Sequence, residues 1–157
     1  MQNDKINLLT KKASVLHPSG KPLTKVELQQ IEDSLDIVLS YDFKKINEYY
    51  NYSYLWYFDF CSFPRGVIEE THYYRKRNDL DQNYLILSNQ DEMTVVMKII
   101  STKKSEVIWC GLEDFFNLCE NKPMEYNPTI FPSFTDFFEF LLDEEEKMQA
   151  EDEEDTS

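Results

Sequence analysis

The spacing of apolar and polar positions changes character twice along this chain, from helical to alternating and back. After Pro22, the residues Val26, Leu28, Ile31 and Leu35 recur at helical spacing behind Thr24-Lys25-Val26-Glu27. That tetrad has the form of a capping box, in which a hydroxyl and a carboxylate each satisfy a free backbone N–H, so a helix is predicted from Thr24 onward. Ser40 stands where it could cap a second helix over Tyr41 to Tyr50, with Phe43, Ile46 and Tyr50 on one face. From Tyr54 to Ile108 aromatic and β-branched runs take over, and strands are predicted at Tyr54 to Phe60, Tyr84 to Ser88, Met93 to Ile100 and Glu106 to Cys110. Asn89 to Glu92 and Ser101 to Ser105 are turns of hairpin length, so these strands should form an antiparallel meander. Between the first two strands, Pro64-Arg65-Gly66 reads as a turn, Val67-Ile68 as a short strand and Arg75 to Asp79 as an exposed loop. Helical spacing returns at Leu112, Phe115, Phe116 and Cys119, before Lys122-Pro123. It returns again at Phe134, Phe137, Phe138, Leu141 and Leu142, behind a second capping box at Ser133 to Asp136.

These elements order the chain into three parts. Residues 1–21 read as a loosely held N-terminal arm ending in the turn-rich His17-Pro18-Ser19-Gly20-Lys21-Pro22, residues 22–142 as the domain, and residues 143–157 as an acidic tail. The tail holds nine acids, one lysine and almost nothing apolar, which predicts a frayed helix end leading into disorder. The expected fold class is α+β: one domain with a twisted, mainly antiparallel sheet and helices packed on it.

Composition narrows the function. Thirty acidic residues against sixteen basic ones give the 157-residue chain a net charge of −14. That field repels nucleic acid backbones and anionic membranes and steers basic partners inward. Aromatic residues make up 15% of the chain, enough for a core with rings left over for an interface. Cys61, Cys110 and Cys119 match no zinc or redox spacing and read as reduced core residues. The first residues lack the continuous apolar stretch of a secretory signal, and no run approaches the roughly 18 apolar residues of a membrane span, so a cytoplasmic location is expected.

Candidate chemistry is sparse. Glu69-Glu70-Thr71-His72 is the one place where carboxylates adjoin a histidine, and the other histidine, His17, lies far away in the arm, so no metal set is expected. With three glycines and no Gly-x-Ser-x-Gly elbow, neither a nucleophile turn nor a phosphate-cradling loop is available. The chain reads as a non-enzyme without cofactor or metal. A hydrolase using a carboxylate pair is the remaining enzymatic option, one that so acidic a chain cannot signal by motif. As a binding surface, the stretch Tyr49 to Trp56 interleaves rings with small polar residues, which points to Tyr49, Tyr52 and Tyr54. Glu69, Glu70, Asp79, Asp81, Asp91 and Glu92 sit in predicted sheet-edge turns and would make one negative rim if they cluster. Arg75-Lys76-Arg77 is too short, in this background, for nucleic-acid binding.

Three stretches resemble the SUKH superfamily, the Smi/Knr-like group. They are Pro22 to Lys44, with Leu35-Asp36-Ile37-Val38-Leu39-Ser40-Tyr41-Asp42; the strands Tyr84 to Leu87, Met93 to Lys98 and Val107-Ile108-Trp109; and Ser133-Phe134-Thr135-Asp136-Phe137-Phe138. Asp36 and Ser40 replace the family's usual Gly and Pro. The resemblance implies a bacterial immunity protein of polymorphic or contact-dependent toxin systems. Such a protein would bind a cognate toxin, often a nuclease with a basic cleft, as a monomer in a 1:1 complex and block it by steric and electrostatic occlusion. The alternative it implies is an intracellular regulatory scaffold recruiting partners through the acidic tail.

Overall fold

The computed structural model describes residues 2–18, 20–51, 54–56, 58–90 and 92–156. Helix α1 (Gln2–Leu16) is followed by α2 (Lys25–Leu35) and α3 (Tyr41–Tyr49). The capping box at Thr24 is present in both directions: Glu27 N–H donates to the Thr24 hydroxyl at 3.1 Å and Thr24 N–H to the Glu27 carboxylate at 3.0 Å. Ser40 occupies the N-cap of α3, but its side chain makes no capping bond. It donates instead to Asp42, whose carboxylate takes the Phe43 N–H and reaches across to the Thr135 N–H and hydroxyl. The buried Asp42 thus ties the start of α3 to the start of the last helix.

Strands β1 (Tyr54–Leu55) and β2 (Phe58–Asp59) form a two-stranded antiparallel hairpin of their own, where one longer strand was expected. Trp56 breaks the run at φ 57°, in the left-handed region. Residues Arg65–Asn78 form α4, not a short strand and a loop. Val67 and Thr71 are buried on one side of it, four residues apart, and Arg75 to Arg77 make up its last turn, where cations suit the helix dipole. The main sheet follows as β3 (Tyr84–Gln90), β4 (Met93–Ile99) and β5 (Ser105–Gly111), then α5 (Leu112–Cys119), β6 (Thr129–Phe131) and α6 (Phe134–Thr156). Its order is β3-β4-β5-β6, all antiparallel, so the architecture is the α+β one expected, with β6 added to the meander.

Both faces of this sheet are covered. Leu85, Met97 and Val107 lie in register on one face and pack with Phe43, Phe137, Phe138 and Leu141 of α3 and α6. Ile86, Val96 and Ile108 lie in register on the other, under Phe115, Leu118 and Cys119 of α5. α4 closes the β3 edge, where the Thr71 hydroxyl accepts the Ile86 N–H at 3.0 Å and so satisfies a donor that an edge strand leaves open.

The ends of the chain depart from expectation. Ile6, Leu9 and Ala13 of α1 are buried in the first core, and Lys12 pairs with Asp143 and Glu146 of α6. The expected arm is therefore packed through α1, because its apolar residues at 6, 9 and 13 form a stripe that α6 covers. Within the predicted tail, Glu145 is 3% exposed. Its Oε1 lies 2.6 Å from His17 Nε2 and accepts from Gln149, and its Oε2 accepts the Trp56 N–H at 2.9 Å. The tail is helical through Thr156 and docked as far as Gln149, which donates to the Leu16 carbonyl.

Candidate partner-binding face

α5 buries Phe115, Leu118 and Cys119 and turns Leu112 and Phe116 outward, a split that a single apolar stripe through all of its apolar residues did not anticipate. Phe116 is the end of a run of ring contacts. Tyr73 meets Tyr74 edge-on at 5.0 Å, Tyr74 meets Phe115 at 4.8 Å, and Phe115 meets Phe116 at 5.9 Å. The two terminal rings are open to solvent, Tyr73 at 50% and Phe116 at 38%, and the middle of the run is held in the second core. A third ring joins from the loop after α5. The buried Asp114 carboxylate accepts the N–H groups of Glu125 and Tyr126 at 2.8 and 3.0 Å, which fixes that loop against α5 and leaves Tyr126 63% exposed. Rings anchored from behind and exposed in front lose little entropy on contact, as in rigid recognition surfaces.

Carboxylates surround these rings. Asp79, Asp81 and Glu120 stand close enough to Cys119 to raise its thiol, although burial is the larger cause of its rise to about 11. Burial, and then Asp81 and Glu106, push the Tyr84 hydroxyl up. The neighbouring Glu113 carboxylate raises the Tyr126 hydroxyl, and Glu125 and Asp114 add to the effect. Two cations answer them locally: Lys122 pairs with Glu120 at 2.8 Å, and Arg77 sits over the Tyr73 ring. Arg75 is turned inward, donating to the Leu35 and Gln82 carbonyls.

The residues predicted for the site divide between the two layers. Asp79, in the left-handed region at the C-cap of α4, and the exposed Asp81 belong to this face. So does Glu70, whose charge is felt by Tyr74. Glu92 adjoins Gly111 at the start of α5. Glu69 and Glu70 lie on a helix, not in a turn, because Val67 and Thr71 give the segment a buried helical stripe. Glu69 faces solvent and pairs with Arg65 at 2.8 Å. Tyr49 is exposed at the end of α3, in the layer on the other side of the sheet. Tyr54 pairs with Asp59 in β1, while Tyr52 and Asp91 lie outside the described residues. Asp79, Asp81 and Glu70 therefore lie near α5, and the exposed Tyr49 lies apart from them.

No family model, no curated protein and no solved structure matches this chain. Its chemistry must be read from the side chains. Among the described residues no group of three or more His, Cys, Asp or Glu could hold a metal ion, and no helix is long and apolar enough to cross a membrane. In the Glu69 to His72 motif, Thr71 points into the fold and His72 outward. Sequence reasoning missed Tyr73, Phe116 and Tyr126. The available signal was the pattern of α5, where Phe116 falls between Glu113 and Glu120 on the side away from Phe115 and Leu118.

Proposed function

We propose that this protein is an immunity protein that binds a basic toxin domain in the cytoplasm and occludes its cleft. The observation that carries the proposal is the row of exposed rings, Tyr73, Phe116 and Tyr126, set among Asp79, Asp81, Glu113, Glu120 and Glu125. Aromatic anchors ringed by carboxylates suit a partner rich in Lys and Arg: the rings supply buried contact and the acids supply charge-assisted hydrogen bonds and a fast encounter. The net charge of −14 extends that steering beyond contact range. The sequence resemblance to SUKH immunity proteins supports the same reading.

The test is co-expression with the product of the adjacent upstream gene, followed by pull-down and a growth assay. Growth rescue with a 1:1 complex, lost on Phe116→Asp and Tyr126→Ala together, is the expected result. A complex that survives both changes places the interface elsewhere; absence of toxicity and of any complex rejects the proposal. A second reading, recruitment through the acidic end of α6, draws on Glu151 and Asp152, which are exposed beyond the docked part of the helix. Removing residues 150–157 separates the two, since it spares Glu145 and abolishes binding only for the scaffold.

A further inference from the structure

Between the β1–β2 hairpin and the end of the main sheet lies a pocket of about 230 Å³ whose walls are Trp56, Phe58, Trp109 and Met93, with Ser88 and Gln90 on its β3 side. It is built by two local irregularities. The β3 ladder slips at Leu87, so Ser88 pairs with Val95 and, with Gln90, shares the face of Trp109. The left-handed turn at Trp56, pinned by the Glu145 carboxylate on its N–H, sets that indole across from Trp109. The rings stand steeply to one another: Trp56 and Trp109 at 84° and 6.3 Å, Phe58 and Trp109 at 77° and 5.0 Å, Trp56 and Phe58 at 53° and 5.8 Å.

The geometry points to a binding site for a quaternary ammonium head group. Three rings at steep angles form a partial box, and the faces of aromatic rings attract cations. The charge behind the box has the right sign, since Glu145 binds the Trp56 backbone and Asp59 follows Phe58, while none of the described lining residues is charged. The preference for a quaternary over a primary ammonium follows from the polar groups. A primary ammonium brings three N–H donors that need acceptors. Among the described lining residues the side-chain oxygens are Ser88 Oγ, which donates to the Asp59 carbonyl, and Gln90 Oε1, which takes the Asp59 N–H, so three N–H donors would meet two side-chain oxygens. A trimethylammonium group brings no donor to satisfy. The volume lies below the roughly 300–1,000 Å³ of pockets for drug-sized ligands, which fits a head group with its chain leading out past the exposed Met93.

The chain has two tryptophans and both line this pocket, so intrinsic fluorescence reports on it directly. The probes are choline, its neutral isostere 3,3-dimethylbutan-1-ol, and n-butylamine as the primary ammonium. Choline should give a saturable change in emission with a dissociation constant about tenfold below that of either comparator, the size of a desolvated cation–π contact. Trp109→Leu, checked for folding by circular dichroism, should remove most of that preference. Equal affinity for choline and the neutral alcohol makes the pocket merely apolar and overturns the proposal, as does butylamine binding as tightly as choline, or no saturable response to choline.

Discussion

Glu145 joins three parts of the chain through one buried carboxylate, and its removal is the sharpest test of how the ends are held. In Glu145→Ala the Trp56 N–H loses its partner at 2.9 Å, and His17 and Gln149 lose theirs at 2.6 and 3.1 Å. Hydrogen bonds to a charged group are worth about 1.5–3 kcal/mol, and an amide left unpaired in a partly buried site costs about 1–3 kcal/mol. The three do not add in full, because the His17 side chain is 27% exposed and can turn to water, and because removing the acid also relieves the cost of burying a charge. The expected loss is about 3 kcal/mol. Glu145→Gln, which keeps an oxygen for Trp56 but sets an amide toward His17, should lose roughly half of that. Urea unfolding followed by far-ultraviolet circular dichroism reads the difference: with a slope of about 2 kcal/mol per molar, the alanine midpoint should fall by about 1.5 M. A shift no larger than that of the exposed Glu151→Ala would refute the reasoning and make the carboxylate a bystander.

Other outcomes follow from the same geometry. Asp42→Ala strands the Thr135 and Phe43 N–H groups and should destabilise by about 3 kcal/mol in the same titration. Gly20→Ala drives a methyl into the Tyr50 ring, which is buried and held by its hydroxyl on the His17 carbonyl, so a loss of about 1–3 kcal/mol is expected, and a neutral result would show that the ring can move. Thr24→Ala removes the capping box of α2 and should cost about 1 kcal/mol by thermal melting. Burial, and then neighbouring acids, push the Cys110 thiol up to about 12 and those of Cys61 and Cys119 to about 11. All three therefore stay protonated at pH 8 and should resist iodoacetamide until denaturant is added; fast labelling of the native protein would contradict this. Because these folded values lie above the ordinary thiol value of 9, the native state holds protons that the unfolded chain releases, so stability should fall as pH rises from about 9 toward 11.

What the sequence made readable was whatever local chemistry alone decides. Thr24 and Glu27 announce α2, the Val95-Val96-Met97 run announces β4, and the stripe from Phe134 to Leu142 announces α6, because caps and periodicity act within a few residues. α4 was hidden because only Val67 and Thr71 of it are fully buried, with Ile68 and Tyr74 half-buried beside them. Its partners are α2 and the β3 edge, contacts that nothing within the helix reveals. α1 and the docked part of α6 were hidden for the same reason at longer range, since Ile6, Leu9 and Ala13 are covered mainly by a helix more than a hundred residues away. The acids of the candidate face were visible one by one, but their gathering around α5 depends on the sheet that lies between them.

The pairing of α1 with α6 also sets a timetable for synthesis. Lys12 and Asp143 are 131 residues apart, which at about 5–20 residues per second separates their emergence by roughly 7–26 s. During that interval the apolar side of α1 has only the early-made α3 to lean on, so the nascent chain carries an unfinished seam that closes when residues 134–149 arrive. A chaperone that binds short apolar helices would find its opening there, and in the finished protein Ile6, Leu9 and Ala13 are covered.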